Sequence, residues 1–132
     1  MTARAAATDM NHLYRSLPAL AWMGLIFFLS AQPKLPEVIF LFDGIDKLFH
    51  AGAYGVLGLL VSYALGVSSR RAALVAVALS SLYGASDELH QYFVPGRSCD
   101  VFDWLADTSG AAVAVAMLGV WQRRGRATRE AP

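Results

Sequence analysis

Four long apolar stretches, separated by short polar breaks, set the pattern of this chain. They run from about Leu13 to Ala31, Ile45 to Val67, Ala72 to Gln91 and Val101 to Trp121. A bilayer core about 30 Å thick takes roughly 20 helical residues to cross, so each stretch is long enough for one span. Pro33 and Pro36 break the chain between the first two, and Pro95-Gly96 is a turn signal between the last two. The pattern predicts an all-α integral membrane bundle of four transmembrane helices. It forms a single domain over residues 1–132, with 122–132 as a basic cytoplasmic tail. A soluble bundle would show polar helix faces, whereas Ala72 to Ala85 carries only scattered Ser80, Ser81 and Tyr83. A cleaved signal peptide is the competing reading of the first stretch, because Arg4 and Arg15 precede its apolar run and Leu29-Ser30-Ala31 resembles a cleavage site. The run is long for such a segment.

Composition agrees with a membrane setting. The chain is 56% hydrophobic, above the roughly 45–50% usual for soluble domains, and its mean hydropathy is +0.44. A net charge of +1 supplies no field to attract nucleic acid. The single cysteine, Cys99, cannot form an internal disulfide and carries no information about compartment. Charge placement does inform orientation. With the N-terminus inside, Arg4, Arg15, Arg70, Arg71, Arg123, Arg124, Arg126 and Arg129 are cytoplasmic, and only Lys34, Lys47 and Arg97 are outside. Basic residues beside short loops are retained in the cytoplasm, so both termini are expected there.

Small residues recur within the spans: Gly52, Gly55 and Gly58, then Ser80, Ser81, Gly84 and Ala85, then Gly110, Ala111 and Ala114. Close helix approach in lipid depends on such residues, and packing surfaces are the expectation. The polar groups instead gather at one face. The second span begins there with Asp46, Lys47, His50 and Tyr54; the third ends there with Tyr83, Asp87, Glu88, His90 and Gln91. The fourth begins there with Asp100, Asp103 and Asp107, whose i, i+3, i+7 spacing puts them on one helix face. Ionisable residues in a span are costly and mark candidate sites.

Asp46-Lys47-Leu48-Phe49-His50 and Asp87-Glu88-Leu89-His90-Gln91-Tyr92-Phe93-Val94-Pro95-Gly96-Arg97, followed by Asp100, Asp103 and Gly110, resemble the pattern of the VanZ-like family. Ser30-x-Gln32-Pro33 also fits it, and Asp107 stands where that pattern has Asn. The resemblance implies a small multi-spanning protein of the bacterial inner membrane, in a family named for its association with teicoplanin resistance. Some relatives are labelled phosphotransbutyrylases, but no phosphate-cradling glycine loop is present to support that activity.

Two functions compete. The first is a transferase or hydrolase acting on a lipid-linked cell-envelope molecule at the outer leaflet. Its catalytic candidates are Asp46, His50, Asp87, Glu88, His90 and Asp103, and its substrate-binding candidates are Lys47, Gln91, Arg97 and Asp100. His50 or His90 would move the proton, with a carboxylate such as Asp87 orienting the ring. Arg97 would hold a phosphate or carboxylate in its planar fork. The second is a non-catalytic binding or accessory protein, in which Asp46 with Lys47, or Arg97 with Asp100, pair across helix ends and Tyr54 and Tyr83 anchor at the interface. Transport ranks behind both, because the polar residues do not run through the membrane. No cofactor-binding motif is present. Asp46, His50, Asp87, Glu88 and Asp100 offer metal ligands, but without a His-Glu-x-x-His or paired-Cys spacing. Nothing in the sequence fixes the oligomeric state.

Overall fold

A computed structural model describes residues 3–33 and 44–130, with side chains for 11, 13–33 and 44–129. The expected outside position of Lys34, the break at Pro36 and the side chain of Arg4 lie outside the described residues. Four helices follow in order: α1 (Ala3–Ser30), α2 (Ile45–Leu65), α3 (Arg70–Gln91) and α4 (Val101–Glu130). α1 begins well before Leu13, and α4 continues through the basic segment expected as a tail. That segment, Gln122 to Glu130, is mostly arginine, alanine and glutamate, all good helix formers that prolong an existing helix without a new nucleus.

The breaks are locally encoded. At the end of α2, Gly66 takes the left-handed conformation (φ 61°), and Val67 N–H returns to the Ser62 carbonyl at 2.9 Å. Ser69 then caps α3, its hydroxyl accepting the Ala72 N–H at 3.2 Å. Asp100 caps α4 by accepting the Phe102 N–H at 2.8 Å.

The helices run up and down alternately, so α2 and α4 are parallel to each other and antiparallel to α1 and α3. α2 and α4 form the most extensive contact. The small residues explain it: a Cβ on Gly110 would run into the Ala51 carbonyl oxygen, and one on Gly58 would lie 3.2 Å from the Ala111 backbone. α1 joins through the Trp22 indole N–H, which donates to the Ala53 carbonyl at 2.9 Å, and the Tyr83 hydroxyl, which donates to the Met23 carbonyl at 2.7 Å.

Burial is inverted relative to a water-soluble domain. Ser62, Ser80, Asp87, Glu88, Gln91 and Asp107 are buried, while Phe28, Phe49, Leu74, Leu82, Val113 and Met117 are exposed. An apolar exterior around a small-residue and polar interior suits lipid as the surrounding solvent. Among the described residues, three segments are long and apolar enough to cross a membrane: Leu13–Ser30, Ile45–Leu65 and Val101–Arg129. α3 does not join them, against the expectation of four apolar spans. Its length suffices, but Arg70 and Arg71 at one end, and Asp87, Glu88, His90 and Gln91 at the other, lower its hydropathy.

Candidate functional site

The start of α2, the end of α3 and the start of α4 meet at one end of the bundle, and their polar side chains form layers of increasing burial. In the outer layer Lys47 Nζ donates to Asp103 Oδ1 at 2.7 Å and to Asp46 Oδ2 and Asp100 Oδ2 at 3.3 Å each. Lys47 is therefore engaged by three carboxylates rather than left for a ligand. The Phe102 N–H holds the Asp100 carboxyl below the usual carboxylate range, with Lys47 adding to the effect against partial desolvation.

One turn deeper, His50 Nδ1 pairs with Asp107 Oδ1 at 2.9 Å, and His50 Nε2 faces Asp103 Oδ2 at 3.8 Å. Side-chain exposure falls from 44% at Asp46 to 18% at His50 and 0% at Asp107, so the imidazole connects the surface to the interior. Glu88 lies beside them, its Oε2 accepting the Asp100 N–H at 2.7 Å and tying the end of α3 to the cap of α4. Gly84 makes the approach possible: a Cβ there would stand 3.1 Å from Asp107 Oδ2 and 3.2 Å from Tyr54 Cε1.

Asp87 belongs to a neighbouring group. Its Oδ2 accepts the Ser30 hydroxyl at 2.8 Å and the Gln91 amide at 3.3 Å, joining α1 to α3. The carboxylate that orients His50 is consequently Asp107, not Asp87. His90 does not reach the cluster: its ring stacks on Phe27 with centroids 4.4 Å apart, because its position on α3 turns it toward α1. Arg97 donates to the Gln32 and Leu29 carbonyls at 3.0 and 3.3 Å, closing the end of α1 instead of pairing with Asp100. Tyr54 is a core residue rather than an interfacial anchor, 1% exposed, since its side chain enters the α2–α3–α4 contact.

Several buried polar atoms have no hydrogen-bond partner: Tyr54 Oη, Asp87 Oδ1, Glu88 Oε1, His90 Nε2 and Asp107 Oδ2 at this end, with Arg15 Nε at the other. Such atoms are expensive in a bundle interior. Asp107 is outside the catalytic and binding sets expected from the sequence, and Ser30 enters there only through Ser30-x-Gln32-Pro33. The available signal for Asp107 was depth: it lies a turn further into the apolar stretch than Asp103, where a carboxylate costs more.

Among the described residues, His50, Glu88 and Asp107 each place one ligand atom within 4.8 Å of the others, close enough to hold a metal ion, whereas Asp46, Asp87 and Asp100 do not join such a group. A groove of about 520 Å³ lies at the opposite end, among Val67, Arg70, Val115, Gly119, Arg123 and Arg126, and contains none of the candidate residues. The titratable candidate residues gather instead at the polar end.

The family model described as VanZ/LLP1 matches residues 16–122, which take in α2 and α3 whole and part of α1 and of α4. None of the curated proteins and none of the solved structures matches the chain.

Proposed function

The chain belongs to the VanZ/LLP1 family and is a VanZ-like membrane protein; from that premise we propose that it acts on the headgroup of a lipid-linked cell-envelope molecule at the outer leaflet of a bacterial inner membrane. The observation that carries this reading is the His50–Asp107 pair at a helix junction, in which Asp107 is buried and the part-buried His50 connects it to the half-exposed Lys47 layer.

Both termini are cytoplasmic in this reading, and all four helices cross. α3 crosses because short turns connect it to α2 and α4, and 22 helical residues extend about 33 Å. Its buried polar residues face its neighbours while Leu74, Leu79 and Leu82 face outward. The polar cluster then lies at the outer surface, and Arg70, Arg71, Arg123, Arg124, Arg126 and Arg129 lie inside.

The reaction is a transfer or a hydrolysis. With Nδ1–H donated to Asp107, the Nε2 lone pair of His50 takes a proton from a water or hydroxyl nucleophile. The nucleophile forms its bond at the headgroup carbonyl or phosphorus as the leaving oxygen departs, and the imidazolium returns the proton to that oxygen. Tyr54 Oη is the nearby buried donor available to the developing charge.

A second reading is favoured by Arg97, which caps α1, and by Lys47, which is held by carboxylates: the cluster joins helices, and the protein restricts antibiotic access without turnover. The two separate in a teicoplanin-sensitive bacterium expressing wild type, His50→Gln or Arg97→Ala at matched membrane abundance. The catalytic reading expects wild type to raise the inhibitory concentration and His50→Gln to abolish the increase. An undiminished increase with His50→Gln supports the accessory reading, and no increase with wild type removes the link to this antibiotic.

A further inference from the structure

The charge balance of the polar end is uneven. Asp46, Asp87, Glu88, Asp100, Asp103 and Asp107 converge there, and among the described residues the cationic partners that ion-pair with them are Lys47 and, when protonated, His50. Lys47 serves the outer carboxylates. Deeper in, Glu88 and Asp107 are 3% and 0% exposed, and each has one oxygen without a hydrogen-bond partner. Buried carboxylates at such separations repel one another strongly unless a cation joins them.

We propose that His50, Glu88 and Asp107 bind a divalent transition-metal ion; this rests on the reading of the cluster as a functional site. The dimensions suit the ion. Neighbouring ligands at about 2.1 Å from an octahedral ion are about 3.0 Å apart, and opposite ligands about 4.2 Å. His50 Nδ1 and Asp107 Oδ1 are 2.9 Å apart, and the full set of ligand atoms lies within 4.8 Å. Side-chain adjustments of a few tenths of an ångström close the set.

Tyr54 supplies an independent indication. It is outside the ligand set, 1% exposed, and its hydroxyl has no partner. Its ring edge and Asp107 Oδ2 approach the same point above Gly84, and the hydroxyl is within electrostatic reach of Asp87 first, then of Asp107 and Glu88. A metal-bound water would give that hydroxyl an acceptor. One imidazole and two carboxylates form a mixed nitrogen–oxygen set that favours Zn²⁺ or Mn²⁺ over Ca²⁺ or Mg²⁺. Three protein ligands leave positions open for water and for an oxygen of the substrate headgroup. With an ion bound, His50 would serve as a ligand, and the ion would supply Lewis-acid activation at the headgroup oxygen.

The test uses the purified full-length protein in detergent, stripped with chelator and titrated with Zn²⁺, Mn²⁺ or Mg²⁺ alone by calorimetry. Expected is one equivalent of Zn²⁺ or Mn²⁺ per chain at micromolar or lower concentration, with weaker Mg²⁺ binding and a raised Tm. His50→Gln and Glu88→Gln each weaken binding by about a hundredfold or more, whereas His90→Gln and Asp46→Asn leave it unchanged. Co²⁺ bound to wild type would give a ligand-field spectrum of nitrogen and oxygen coordination, a readout that needs no variant to fold. Absence of binding at millimolar metal, or binding that persists in both triad variants, overturns the proposal. Because no lipid is present, these results stand apart from the lipid-linked reading: lipid turnover that survives chelation would retain that reading and remove the metal.

Discussion

Asp107 combines full burial, one hydrogen-bonded oxygen and one unpartnered oxygen. A carboxylate so placed weakens the fold unless a function retains it. Asp107→Asn keeps an acceptor for His50 and removes the buried charge, so metal-stripped protein is expected to gain about 1–2 kcal/mol of stability. Thermal unfolding in detergent reads this, and a lower Tm for the variant would mean that the charge is already compensated. The residue types at the site were legible because Asp46, His50, Asp100 and Asp103 follow helical spacing from the starts of their helices. Their partners were not. Periodicity put Asp87 and His90 on the same face of α3, but α1 draws both toward itself, through Ser30 and Phe27. Pairing across helices depends on axial rotation, which no single helix encodes.

At the scale of elements, the α2–α4 contact is set by glycine. Gly110→Ala puts a methyl group into the Ala51 carbonyl, and because backbone cannot yield as a side-chain tip can, a loss of about 3 kcal/mol is expected. Gly119→Ala, where a Cβ meets nothing within 4 Å, is the control and should be neutral or slightly stabilising. Thermal unfolding distinguishes the two. The start of α4 depends on Asp100, whose folded-state carboxyl lies below the usual range, first through the Phe102 N–H. Its charge therefore contributes stability that is fully present above the unfolded pKa of about 3.9 and is lost as pH falls through the folded value. Wild type should exceed Asp100→Ala by about 1 kcal/mol at neutral pH, and the gap should narrow below about pH 4. The four helices were readable from apolar run length, and the break between α3 and α4 from Pro95-Gly96; the Gly66 and Ser69 caps between α2 and α3 emerge only in the structure. The extensions of α1 and α4 were not readable, because run length reports what lipid accepts, whereas a helix continues as long as its residues permit.

For the whole molecule, apolar side chains outside and polar ones inside follow from the composition, but orientation rests on arginine placement alone. Cys99 provides a native reporter: it is exposed and lies between α3 and α4 at the polar end. A membrane-impermeant maleimide added to spheroplasts should label it without permeabilisation; labelling only after lysis would invert the topology and put the cluster in the cytoplasm. A change made by this cluster to a lipid headgroup is read directly by mass spectrometry of total lipids from cells expressing wild type or His50→Gln at equal membrane abundance. A lipid species with an altered headgroup should appear with wild type and be absent with His50→Gln; identical lipid profiles from the two would contradict the proposed function.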